Sequence, residues 1–129
     1  MDLKFKRCGT IHNLQLKIGR YGNGSLAIIL MEGWEAYANL TVNLEAYNVV
    51  PSNAFSAFVD SESSGFDPVV EFVTNNNLGE LTGREIRIGD ISFPEILFNK
   101  EKLKEFDPDN FEEYEAYSEA LKIVRNEEN

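Results

Sequence analysis

The chain has 129 residues, 43% of them hydrophobic and 26% charged, and carries a formal net charge of −10. This length supports one domain with a real apolar core, and this balance excludes an intrinsically disordered chain. The acidic excess argues against direct binding to nucleic acid or anionic membrane, because phosphate recognition needs clustered Lys and Arg.

In chain order, Leu14, Leu16 and Ile18 alternate with Gln15, Lys17 and Gly19, the period-2 pattern of a strand with one buried face. Tyr21-Gly22-Asn23-Gly24 follows. Its Asn-Gly pair is a hairpin signal, since both residues tolerate positive φ. Leu26–Met31 reads as the return strand, apolar on both faces, and Glu32-Gly33 predicts the next turn. The alternation then resumes from Tyr37 to Leu44. Ala38, Leu40, Val42 and Leu44 share one face, while Tyr37, Asn39, Thr41 and Asn43 share the other. These three strands predict an antiparallel meander. A further strand is expected over Ala54–Val59, with Phe55 and Phe58 as its apolar content, and then a polar loop over Ser61–Gly65.

Asp67-Pro68 predicts a helix start, with the carboxylate as N-cap and Pro where no N–H is needed. Val69, Val70, Phe72 and Val73 give that helix a short apolar face, and Asn75-Asn76-Asn77 ends it. Between Leu78 and Phe98, Gly79, Gly83 and Gly89 punctuate short apolar runs, which predicts one or two strands with turns. At the C-terminus, Asp109 and Glu112 have capping-box spacing. Phe111, Tyr114, Tyr117, Leu121 and Val124 then recur at steps of three and four, one face of an α-helix. Lys122 and Arg125 sit where the helix dipole favours cations. The expected class is α+β in a single domain: a β-rich core over 1–99 and an acidic helical segment over 100–129.

The charge is unevenly placed. Residues 1–59 hold five Lys/Arg against four Asp/Glu, a net of +1, and residues 60–129 hold seven against eighteen, a net of −11. The longest apolar run, Leu26–Met31, is strand-sized, far short of the roughly 18 residues that span a bilayer. Met1–Arg7 is basic with no apolar stretch behind it, so no signal peptide is expected. Cys8 is the lone cysteine, which excludes an internal disulfide and fits a reducing, cytoplasmic setting.

Catalytic chemistry finds little to stand on. With one Cys and one His in the chain, no zinc ligand set is expected, and no other cofactor is implied. Cys8 and His12 are close enough to form a thiol–imidazole pair, but hairpin neighbours are the simpler reading. Gly19, Gly22 and Gly24 lie in a hairpin and lead into no helix, so they make no phosphate loop. Asp107, Asp109 and Glu112 superficially suggest calcium, yet the central Gly of an EF-hand loop is missing, and helix capping accounts for them. Among the aromatics, Tyr21, Trp34, Tyr37, Tyr47, Phe93, Phe98, Phe106, Tyr114 and Tyr117 cannot all fit the core. Those left on the surface beside carboxylates would suit the Arg and Lys of a basic partner.

The runs Gly24-Ser25-Leu26-Ala27-Ile28 and Tyr37-Ala38-Asn39-Leu40-Thr41-Val42-Asn43-Leu44 resemble a family of small proteins grouped as a domain of unknown function. So does Asn77-Leu78-Gly79-Glu80-Leu81-Thr82-Gly83-Arg84 with the later Phe93-Pro94. The likeness covers residues 20–99 and leaves the acidic helix outside it. It implies a bacterial, phage or mobile-element setting and brings no catalytic residues.

The expectation is therefore a non-enzymatic, acidic inhibitor from a phage or mobile element. It would present carboxylates to a basic protein surface that normally holds nucleic acid, such as that of an RNA-guided CRISPR nuclease. Glu112, Glu113, Glu115 and Glu119 are the expected contact residues, with Tyr114 as an anchor. Two alternatives stand beside this. One is a small-ligand sponge for a nucleotide signal, drawing on Lys4, Lys6, Arg7, Lys17, Arg20, Arg84 and Arg87; the other is an accessory or assembly protein of a mobile element.

Overall fold

The computed structural model describes residues 3–7, 9–60 and 69–128. It bears out the α+β class with two antiparallel sheets and three helices. The first sheet has the order β1 (Leu3–Arg7), β2 (Thr10–Arg20), β3 (Leu26–Glu32), β4 (Glu35–Asn39). The second is built from β5 (Ser56–Phe58), and then, beyond α1 (Val69–Asn75), from β6 (Gly79–Ile88) and β7 (Ile91–Phe98), in the order β5-β7-β6. Helices α2 (Lys100–Phe106) and α3 (Pro108–Glu128) close the chain.

The meander is present, extended by β1, which the sequence reading left unassigned. Leu14, Leu16 and Ile18 are buried while Gln15, Lys17 and Gly19 are exposed, as the alternation requires. Leu26, Ala27, Ile28 and Leu30 are all buried, which accounts for the unbroken apolar run of β3. The Asn-Gly turn differs from expectation, because only Gly24 has positive φ (+88°). Gly24 N–H donates to Tyr21 O (2.8 Å), and Asn23 Oδ1 accepts from both the N–H and the hydroxyl of Ser25. Asn23 thus serves the turn through its side chain and keeps an ordinary backbone.

β4 ends at Asn39, five residues before the alternation does. Leu40 and Leu44 remain buried, but the segment after Asn39 crosses toward the second sheet. Thr41 redirects it: its hydroxyl, itself buried, accepts from Ile28 N–H (3.1 Å) and bonds the Tyr21 hydroxyl (2.8 Å). Val42 then forms an isolated bridge to Phe58 of β5. Apolar residues of both sheets and all three helices form one core, which includes Leu14, Ile28, Val59, Val73, Ile96, Leu103 and Phe111.

The expected cap of α1 at Asp67-Pro68 and the loop at Ser61–Gly65 lie outside the described residues. So do the side chains of Leu121, Lys122, Val124 and Arg125. Helix α2 was not anticipated. Its cap is Asn99, whose side chain accepts from Glu101 and Lys102 N–H, the usual way an orphan first turn is satisfied. The start of α3 is corrected from a cap at Asp109 to a first residue at Pro108, which leaves Asp109 in the first turn. Pro is suited to that position because its missing N–H has no partner there in any case.

Candidate functional site

Helix α3 shows two chemically distinct sides. Phe111, Tyr114 and Ser118 are buried, and Tyr114 packs edge-on against Phe55 with ring centroids 5.3 Å apart. The Tyr114 hydroxyl donates to Ala54 O. Burial and the nearby Tyr117 push the Tyr114 hydroxyl up to about 12. The expectation that Tyr114 anchors a partner is thereby corrected: its ring belongs to the interior, as its place in the apolar stripe implied. Glu112, Glu113 and Glu119 are exposed and Glu115 is half-buried. At about 100° per residue, Glu112, Glu113 and Ala116 lie on the side opposite the core-facing stripe, with Glu119 at its edge and Glu115 nearer the core. From Glu105 to Leu121 the sequence carries seven acidic residues and no Lys or Arg.

A half-open cleft of about 720 Å³ lies behind that helix. Its walls come from the Asn23–Ser25 turn, the Val50–Phe55 segment, the end of β7, Lys100, and the inner side of α3 at Tyr114 and Ser118. Lys100 Nζ stands 4.5 Å from the centroid of the Phe55 ring. Among the described residues, none of the cations proposed for a nucleotide-signal site lines this cleft. Arg20 stacks on Tyr117 at 3.9 Å, and Arg84 lies over Phe58 at 5.3 Å, in the other sheet. Lys4 and Lys17 are exposed on the first sheet, and the side chains of Lys6 and Arg7 lie outside the described residues.

The third feature is a buried carboxylate. Glu95 of β7 is fully inaccessible. One oxygen accepts from Ser52 Oγ and Thr82 Oγ1, each at 2.8 Å. The other accepts from Ser52 N–H at 2.7 Å and Ser56 Oγ at 3.1 Å, with Arg84 Nη1 at 3.9 Å. Burial raises the pKa of this carboxyl, but the bonds from Ser52, Thr82 and Ser56 outweigh it and hold it below the usual 4.5. Thr82 and Arg84 reach Glu95 because β6 bulges between Leu81 and Glu85, where Gly83 takes φ +94°. Arg84 Nη1 also donates to Val50 O at 2.8 Å. The Leu-Thr-Gly-Arg run quoted above is thus the clamp that holds the Val50–Ser56 segment on the second sheet. Every donor is matched, no wall of the cleft belongs to Glu95, and the arrangement is structural.

His12 Nδ1 bonds Glu32 Oε2 at 2.8 Å, an exposed contact at the far end of the first sheet. Cys8 lies outside the described residues. Trp34, at the β3–β4 turn, is 99% exposed, the most open of the aromatics considered above. No helix of the described residues is long and apolar enough to cross a membrane.

Two antiparallel sheets, a clamp of buried hydroxyls around one glutamate, and three helices define a small α+β module. The chain belongs to the family described as Domain of unknown function (DUF4313), which matches residues 15–118. That span includes all of the quoted runs and reaches into α3 as far as Ser118, beyond the 20–99 stretch of the resemblance. Comparison with curated proteins and with solved structures gives no match.

Proposed function

We propose that this is a non-catalytic binding protein whose acidic helix face occupies a basic surface that normally holds nucleic acid. In this reading it is an inhibitor from a phage or mobile element, and its target is a host defence nuclease such as an RNA-guided CRISPR effector. The observation that carries the reading is the exposure of Glu112, Glu113 and Glu119 on the side of α3 turned away from the core. Exposed carboxylates on the outer side of a helix stand where a basic surface can meet them. The helical rise of 1.5 Å per residue puts Glu112 and Glu119 about 10.5 Å apart along the axis. Phosphates on one DNA strand follow each other every 3.4 Å of axis, so that gap is about three phosphate steps. A Lys/Arg channel spaced for a backbone can therefore meet this row.

The test is capture by the tagged protein from a lysate containing CRISPR and restriction effectors, followed by mass spectrometry and a nuclease assay. The expected result is recovery of one nuclease complex and inhibition of its cleavage. Both should fade between about 0.1 M and 1 M salt, as the screening length falls from roughly 10 to 3 Å. The triple variant E112K/E113K/E119K should lose both with an unchanged melting temperature. Capture that survives high salt, or that the triple variant retains, removes α3 from the mechanism.

A further inference from the structure

We propose that the cleft behind α3 binds a small organic anion: an apolar or aromatic body bearing a carboxylate or phosphate head. This goes beyond the acidic-face reading and does not depend on it, since the cleft uses the opposite side of the helix.

The first argument is charge. The chain has 22 Asp and Glu residues, yet among the described residues none of them lines the cleft, and Lys100 is the one charged residue there. Among the described residues Lys100 makes no ion pair with a carboxylate; its ammonium is held over the Phe55 ring instead. In a molecule of net charge −10 this places a cationic group on the cleft wall where an anion can reach it.

The second argument is the polar groups of the wall. Ser118 is only 7% exposed and lines the cleft, and its hydroxyl is a rotatable donor that a ligand can meet there. Asn53 lines the cleft as well; its side-chain oxygen accepts from Phe55 N–H (2.9 Å), and its NH2 is a further donor. Lys100, Ser118 and Asn53 therefore offer three donors, the set a carboxylate or phosphate accepts.

The third argument is the rest of the wall. Val50 is 58% exposed at the rim, and Leu97, Pro51 and Phe55 supply apolar surface below it. A cleft of about 720 Å³ falls within the range that small ligands use. A wall that mixes apolar surface with a few donors fits an amphiphilic anion better than a bare inorganic ion.

The experiment is a titration of the full chain with phenyl phosphate, with benzoate, and with neutral benzyl alcohol, followed by amide chemical shifts. At least one anion should give saturable shifts centred on the amides of Asn53, Lys100 and Ser118, and benzyl alcohol should bind more weakly. Which anion binds more tightly separates a phosphate from a carboxylate head. Replacing Lys100→Glu should weaken binding by about tenfold or more, as loss of a charged contact does. Lys17→Glu, an exposed lysine outside the cleft, should leave it unchanged. Ser118→Val gives a second reading if the charge reversal perturbs α2. No saturable shift with either anion overturns the proposal, as do shifts scattered over Lys4 and Lys17, or equal affinity in the Lys100→Glu protein. Nuclease capture or inhibition retained by the glutamate variants would sink the acidic-face reading and leave this titration unaffected, so the two readings fail separately.

Discussion

Thr82 donates its hydroxyl to Glu95 across the β6–β7 ladder, 2.8 Å away, at the point where β6 bulges. This single bond explains why a strand interrupted by Gly83 is not simply a weak strand. The bulge turns Thr82 and Arg84 toward the same carboxylate, and Ser52 and Ser56 approach it from the other side.

Replacing Glu95→Gln keeps the shape and removes the charge, while its NH2 must face groups that are already donors. Bonds to a charged acceptor contribute about 1.5–3 kcal/mol each, and breaking a buried charged network costs about 3–5 kcal/mol. A destabilisation of about 3 kcal/mol is expected from urea unfolding, with an unchanged denaturant slope. Thr82→Val removes one bond of four and should cost about 1.5 kcal/mol. The folded carboxyl titrates below its ordinary 4.5, so its contribution is present above that pH and is lost as pH falls through the folded value. The acid limb of the stability curve should therefore flatten in Glu95→Gln. A variant as stable as the parent at neutral pH would show that the clamp contributes nothing.

The strands were legible where periodicity alone decides. Leu14, Leu16 and Ile18 follow the pleat, and Phe111 and Tyr114 follow the helical repeat. Glu95 was not legible, because no local pattern distinguishes one carboxylate with four hydroxyl and amide donors from the 21 other acidic residues. Its donors arrive from positions 52, 56 and 82, and only the fold brings those together. Lys100 was missed for the same reason: it follows Asn99 in a short charged helix, and its place over Phe55 depends on β7 ending beneath it. The crossover at Thr41 ended β4 early because a side chain, rather than the alternation, captured the backbone of Ile28. Glu112, Glu113 and Glu119 were readable as the outer side of a helix; Tyr114 was readable as its inner side, and naming it an anchor set that stripe aside.

Alkali should unfold the protein partly through Tyr114. Its hydroxyl is raised from 10.0 to about 12, so the folded state holds this proton more tightly than the unfolded chain does. Stability from this source is complete below pH 10 and is lost as pH rises through the folded value, about 2 kcal/mol by pH 12. Tyr114→Phe loses the bond to Ala54 O and should be about 1 kcal/mol less stable at pH 7. It should also lose less stability than the parent above pH 10. Tyr21, raised by burial against the lowering effect of its bond to Thr41, continues to contribute in both proteins. Parallel alkaline limbs for parent and variant would assign the loss to groups other than Tyr114.

Asp107 closes an open sheet edge. β1 pairs with β2 only as far as Leu14, and beyond that residue no strand among the described residues lies beside the outer edge of β2. Asp107, between α2 and α3, accepts there from Ile18 N–H at 2.9 Å and from the Asn110 side chain at 2.9 Å. Its own backbone oxygen takes the Phe111 N–H, so one residue joins the start of α3 to the strand. An exposed strand edge is a template for pairing with another chain, and covering it with a helix is a common remedy. Asp107→Ala leaves the Ile18 N–H without its charged acceptor and should cost about 1.5–3 kcal/mol. Hydrogen exchange gives the more specific readout: the Ile18 amide should lose protection by more than the global destabilisation accounts for. Asp107→Asn keeps an acceptor oxygen and should retain most of that protection. If Ile18 exchanges no faster in Asp107→Ala than its neighbours do, the helical joint is packed on the strand by apolar contact alone.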